Sequence, residues 1–514
     1  MTLLFSVRYP SASMATAGVV QVEQAIYETQ CQVSLSEHGD RKGSPLLYTP
    51  GARTARIVVM ALAAIMQKSV VQWRRLTANQ PPSTTLLSPS GGQTKTMLNL
   101  DTIRTHFPAL ASQTIYFDNP GGTQVAQEAL QHISHYLQYT NANHGGAFRT
   151  SRESDAVVFK ARRAVADFLN AARPEEIVFG PNMTTLTFAI SRSLARTLQP
   201  GDEIVVTRLD HDANVAPWLL IAEDRGCHVR WVDFHTEDCT LDMEDLERQI
   251  TPRTRIVAVG YASNAVGTVN DVRRAVQLAH KVGAICFVDA VQYAPHKPID
   301  VQALDCDFLA CSAYKFFGPH LGILYGKYEL LDRLTAYKVR PSGDLPPDKF
   351  ETGTQGFESI AGTLGALEYF AWVGKTFGGE YAQNYQDTFS GRRLVLKQAM
   401  AAIEAYELEL NHSVIEGLGS IPGLHMRGIT SPHRLDQRVP TFSFTLEGCS
   451  PQAIAEALDK ENINAWNGNF YALAVTERLG LEEKGGLVRV GLTHYNTQAE
   501  IERLVTTLLT IKRP

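Results

Sequence analysis

The chain has 514 residues, is 44% hydrophobic and 20% charged, and carries a formal net charge of -5 with a pI near 6.3. That length and balance suit a globular protein with more than one domain, and the lack of a basic field argues against a nucleic-acid binder. Seven scattered cysteines without CxxC spacing argue against a disulfide framework or a zinc site and fit a reducing cytoplasm, and no apolar run reaches the roughly 18 residues of a membrane span.

Residues 1–96 carry nine Lys/Arg against four Asp/Glu and end in the stretch QPPSTTLLSPSGGQTK, a composition that punctuates or unfolds a chain. Only residues 54–73 show sustained helical patterning there. The first residues have a loose likeness to a signal peptide, but Arg8 follows the apolar residues instead of preceding them. The expectation is a weakly ordered extension. Translation from Met97 would retain every motif described below.

From residue 97 onward strand-like and helix-like runs alternate, which is the pattern of βαβ units and a mostly parallel sheet. Strands are predicted at 176–179, 203–207, 228–232, 255–259, 284–289, 307–312 and 322–325. Helices are predicted between them at 184–198, 213–224, 243–250 and 272–282. Beyond residue 360, helical stretches at 360–374 and 382–418 precede a smaller αβ unit around 441–446, 451–462 and 487–492. The reading is a large α/β domain over 97–360, with its first residues packing on the smaller domain, and connecting helices plus a small C-terminal domain over 361–514.

Three local features carry chemistry. The strand at 307–312 runs into AYKFFGP, where Lys315 stands among aromatic and apolar residues; desolvation there lowers a lysine's pKa and makes its amine a nucleophile toward an aldehyde. The strand AICFVDAVQ places Asp289 directly after apolar residues, in position to pair with a protonated pyridine nitrogen. GPNMTT puts Thr184 and Thr185 at a helix N-terminus, a ready anion site. Taken singly, each has a plainer reading: a loop lysine, a capping aspartate, a capping threonine.

Taken together with YFDNPGGTQ (116–124), NHGGAFRTS (143–151), DHDANVAPW (210–218), SNAVGTVND (263–271), VDAVQYAPH (288–296), SAYKFFGP (312–319), FETGTQ (350–355) and RVGLTHYNT (489–497), they resemble the class V aminotransferases. The likeness is strongest to the cysteine-desulfurase-like branch of these fold-type I enzymes, which use pyridoxal 5′-phosphate (PLP). It covers the chain from about residue 99 onward. It implies a seven-stranded, mostly parallel sheet in the large domain and a homodimer acting on a small amino acid. Lys315 would hold PLP as a Schiff base and act as the base, Asp289 would pair with the pyridine nitrogen, and Gln292 would donate to the phenolic oxygen. His211 would stack on the ring. Thr184, Thr185, Ser312 and Tyr314 would bind the phosphate, with Thr354 reaching the phosphate of the neighbouring subunit. Asn264 would lie near substrate and cofactor. Arg489 would clamp the substrate carboxylate, with His144, Trp466 and Tyr471 on the substrate side.

The likeness breaks at AWNGNFY (465–471). Tyr471 stands where the desulfurases carry a mobile persulfide-forming cysteine, and Trp466 where they carry a second arginine; Cys449 comes too early in the chain to substitute. Tyr314 replaces a histidine common in desulfurases. A phenol is no sulfur acceptor. The expected function is a lyase-type or desulfurase-like reaction without that cysteine. Transamination or epimerisation, a desulfurase using another thiol, and a non-catalytic PLP-fold protein are the alternatives.

Overall fold

The structure, a computed structural model, describes residues 98–512. The extension expected at 1–96, its helical pattern at 54–73 and Met97 lie outside the described residues. In chain order the strands are β1 (Ile115–Tyr116), β2 (Ile177–Gly180), β3 (Glu203–Thr207), β4 (His228–Val232), β5 (Thr254–Gly260), β6 (Ile285–Asp289), β7 (Phe308–Ser312), β8 (Gly322–Gly326), β9 (Leu424–Arg427), β10 (Thr441–Leu446), β11 (Ile463–Asn464), β12 (Trp466–Gly468) and β13 (Leu487–Gly491).

Seven of them form one sheet in the order β2-β8-β7-β6-β5-β3-β4. Every adjacent pair is parallel except the two that involve β8, which runs against its neighbours. All of the strands but the edge strand β4 are buried on both faces because helices cover both, and the side-chain period of two divides their residues between two cores. Val205, Val257, Val259, Val288 and Leu309 join one core, while Ile204, Val206, Ile256, Phe287 and Phe308 join the other.

The second sheet is four-stranded and antiparallel in the order β12-β13-β10-β9. Its core takes Phe442, Phe444, Val488 and Val490 against Leu410, Val414 and Leu504 from flanking helices, and Ile115 and Phe117 from the beginning of the described chain. β1 reaches this region by pairing in parallel with β11.

The predicted strands of the large sheet all form, within a residue or two at each end. The helix predicted at 184–198 is Met183–Ala195, started one residue earlier by Asn182, whose side chain accepts the Thr185 N–H. The stretch predicted at 213–224 divides into a 3-10 turn, Asp212–Asn214, and the helix Ala216–Arg225, with Val215 between them outside helical geometry. The stretch predicted at 382–418 likewise divides: a 3-10 segment, Gly379–Asn384, is separated from the helix Gly391–Gly419 by extended Ser390. The helices Gln127–His135 and Arg149–Leu169 and the strands β9 and β12 are additions to the predicted elements.

Candidate functional site

The C-terminal ends of parallel strands open onto a shared crevice, the usual ligand position in an open α/β sheet. β6 delivers Asp289 there, paired in register with Gly260 at the end of β5 and Ala310 in β7. β7 ends at Ser312 and a 3-10 turn, Ala313–Lys315, carries Lys315 to the same edge. β3 ends at Thr207, just before Asp210 and His211. A cavity there is lined by Asn182, Thr184, His211, Asn264, Asp289, Gln292, Ser312, Tyr314 and Lys315.

Lys315 is 8% exposed and its ammonium donates to the Pro120 carbonyl. Burial pushes its pKa down to about 7, with the Arg489 charge acting the same way and Asp289 opposing. Burial raises Asp289 to about 6, against the Val291 N–H, which donates to its Oδ1 at 2.9 Å, and the charge of Lys315. His211 is lowered to about 4 by burial and by the charges of Lys315 and Arg489. Its Nδ1 accepts the Ala213 N–H at 2.9 Å, so the neutral ring carries its proton on Nε2.

Asn264 donates to the Phe470 carbonyl at 2.8 Å, and its own carbonyl accepts from Arg489 Nη1 at 2.9 Å. Gln292 donates to Thr441 Oγ1 at 3.0 Å. Asn264 Oδ1, Gln292 Oε1 and Arg489 Nε are buried without a protein partner. Arg489 is 4% exposed, and burial lowers it to about 9 against the pull of Asp118 and Tyr314, so it stays charged at neutral pH. It lines a wider outer cavity that shares Thr184, His211, Asn264, Tyr314 and Lys315 with the first and adds Trp466 and Tyr471.

Three of the predicted residues stand apart. Thr185 gives its hydroxyl to Asn182 at 2.9 Å and lines neither cavity. His144 and Thr354, on exposed loops, line a different cavity with Phe159, Arg162 and Glu351. Two residues near Lys315 were missed from sequence. Asn182 caps the helix and lines the inner cavity, and its capping position was the available signal.

Asp210 is the other. It accepts from Thr207 Oγ1 at 2.9 Å, the Gly260 N–H at 2.9 Å and Asn214 Nδ2 at 2.7 Å. Burial drives it up to about 7 and Asp289 adds to the rise, while its three donors oppose it. A Cβ on Gly260 would lie 2.8 Å from Asp210 Oδ1, so the missing side chain is what lets this carboxylate approach. Thr207 and Asn214 lie beside it in the chain, but Gly260, 50 residues on, reaches it only through the sheet.

The Aminotransferase class-V family model matches residues 115–392 and 389–504. The chain is 35% identical over 420 residues to the aminotransferase-like protein FGM3 of Gibberella zeae, covering 80% of this chain and 98% of that one. It is 33% identical over 476 residues to a cysteine desulfurase of Synechococcus elongatus, covering 88% of this chain and 70% of the relative. The solved apo cysteine desulfurase of Thermococcus onnurineus NA1 superposes with a TM-score of 0.69 at 27% identity, over 81% of this chain and 98% of that one. Over nearly all of its described length, then, this chain belongs to the class V aminotransferase family, in its cysteine-desulfurase-like branch of PLP-dependent enzymes.

Proposed function

We propose that this enzyme acts on the amino group and α-carbon of an amino acid by a desulfurase-like or lyase-type reaction that does not use the loop cysteine of the desulfurases. The observation that carries the reading is the convergence of Lys315, Asp289 and Arg489 on connected cavities at one sheet edge. The residues fit PLP. Gln292 and Asn264 line the inner cavity with buried oxygens lacking protein partners, and such groups call for a polar ligand. Thr184, Ser312 and the N-terminus of the helix Met183–Ala195 suit its phosphate, Asp289 its ring nitrogen and His211 its flat face.

When bound, PLP supplies an electron sink that weakens the bonds at the substrate's α-carbon. Lys315 holds the cofactor and then, as a free amine with a pKa near neutrality, takes or returns the α-proton. Arg489 fixes the carboxylate, and Asp289 keeps a negative charge against the ring nitrogen. Among the described residues no cysteine lines either cavity, and Cys449 packs against the core of the small sheet. That favours a route without a protein persulfide. The test is an amino-acid panel read by PLP absorbance, followed by product analysis and sulfide assay on L-cysteine with and without a thiol acceptor. We expect spectral change with α-amino acids and no persulfide on the protein; a protein persulfide formed during turnover would overturn the proposed route.

The cavity lined by His144, Thr354 and exposed Phe159 favours a homodimer in which Thr354 faces the partner's phosphate site, and we place the protein in the cytoplasm on the scattered, unpaired pattern of its cysteines. No described helix is long and apolar enough to cross a membrane. The division into an extension (1–96), a large domain (97–360) and a small one (361–514) belongs to the same proposal. Deleting residues 1–96 is expected to leave soluble protein that binds PLP as the full chain does, checked by absorbance after gel filtration. Loss of soluble holoenzyme would refute it.

A further inference from the structure

The outer cavity has a wall that the carboxylate and amine of an amino acid do not account for. Trp466 stands opposite Arg489 in the β12–β13 ladder, so both side chains project from the same face of the small sheet. The indole lies against Gly121, where a Cβ would come within 2.5 Å of Nε1, so the glycine leaves it room. Trp466 is 51% exposed and Tyr471 75% exposed: two large rings stand in solvent at the mouth of a cavity also lined by Phe188 and Phe470.

The turn that carries two of these rings is held firmly. Phe470 and Tyr471 both adopt φ of 58°, a left-handed conformation unusual for consecutive bulky residues. The Phe470 carbonyl accepts from Asn264 at 2.8 Å and the Tyr471 carbonyl from the Asp212 N–H at 2.6 Å. The Tyr471 N–H donates to Asn469 Oδ1 at 3.1 Å, and Asn469 in turn donates to Glu482 at 3.0 Å. Glu482 also accepts from the Thr476 hydroxyl, so the acidic group on this wall is spent on fixing the turn. The Phe470 ring lies 4.3 Å from the Arg489 guanidinium, and the Tyr471 ring stacks on His211 with centroids 5.6 Å apart and planes 19° apart. A turn pinned at four points suits a wall better than it suits a mobile nucleophile.

We propose that Trp466 and Tyr471 are specificity-determining residues and that the substrate is an α-amino acid with an aromatic side chain. The inference rests on the amino-acid reading above and deepens it. With the carboxylate on Arg489 and the amine at Lys315, the side chain faces the rings of Trp466, Tyr471 and Phe188, where planar groups gain offset or edge contacts beyond simple burial.

The test titrates PLP-loaded enzyme with L-phenylalanine, L-tryptophan, L-leucine, L-alanine and L-cysteine and reads affinity from cofactor absorbance. Phenylalanine and tryptophan are expected to bind at least about tenfold more tightly than alanine or cysteine, with leucine in between. In Trp466→Ala and Tyr471→Ala the phenylalanine-to-alanine affinity ratio should fall at least about fivefold, and Trp466→Phe should restore most of it. Equal affinity for phenylalanine, alanine and cysteine overturns the proposal, as does an unchanged ratio in both alanine variants. Leucine binding as tightly as phenylalanine overturns the aromatic requirement. If no amino acid changes the spectrum of enzyme that holds PLP, the amino-acid reading itself falls.

Discussion

Lys315→Ala is expected to abolish covalent retention of PLP, the largest single effect in the protein. Wild type mixed with PLP, reduced with borohydride and dialysed should keep the cofactor on the peptide containing Lys315, whereas the variant should keep none. The residual cavity would still hold PLP through the groups around Asp289 and Thr184, so the variant should bind it reversibly. The pH dependence follows from burial. Below about pH 7 the Lys315 amine is protonated and not nucleophilic; above it the free amine predominates, so the rate of PLP capture should rise through pH 7 and level off. A capture rate flat between pH 6 and 8, or borohydride labelling at another lysine, would refute the assignment.

The second large effect is expected at Arg489. Arg489→Ala removes a buried cation aimed into the outer cavity and leaves the Asn264 carbonyl without its donor. Binding of α-amino acids should weaken at least tenfold, about 1.4 kcal/mol, while the absorbance of enzyme-bound PLP persists. Simple amines without a carboxylate should lose far less, which separates a lost carboxylate partner from a collapsed site. Arg489 also sits beneath the Phe470 ring, so the more conservative Arg489→Lys variant controls for packing: it keeps a charge but cannot reproduce the planar fork, and it should fall between wild type and alanine. Amino-acid affinity equal to wild type in Arg489→Ala would place the carboxylate elsewhere.

Much of the large sheet was legible because most of its strands are short apolar runs closed by a turn, and Asp289 ends one such run while Lys315 lies in the turn just after another. The helix Arg149–Leu169 was harder to see. Its first turns, RTSRESD, are polar, and its end is set by Asn170 in the left-handed conformation, where no glycine marks the stop. The Phe470–Tyr471 turn was invisible for a related reason: neither residue favours positive φ, and tertiary hydrogen bonds from Asn264 and Asp212 hold them there. Trp466 was noticed as a substitution, but that it faces Arg489 depends on the register of two strands about twenty residues apart. Asp210 has Thr207 and Asn214 close by in the chain, but its third donor, Gly260, arrives only when β3 pairs with β5.

The pairing of β1 with β11 bears on how the molecule comes to fold. Ile115 and Phe117 lie in the core of the small sheet, yet the strand partners of Ile115 and Tyr116, Ile463 and Asn464, emerge from the ribosome only after almost the whole remaining chain. Throughout synthesis the opening segment of the described chain carries apolar side chains and an unpaired strand edge with nothing native to meet. Closing so long a loop is slow compared with local helix and sheet formation, and the large sheet, whose neighbours are mostly close in sequence, can order first. The small sheet's core is therefore completed last, when the segment around β1 meets β11. Any nascent or truncated form that stops short of residue 463 exposes a hydrophobic edge of the kind that chaperones bind and that aggregates when left alone.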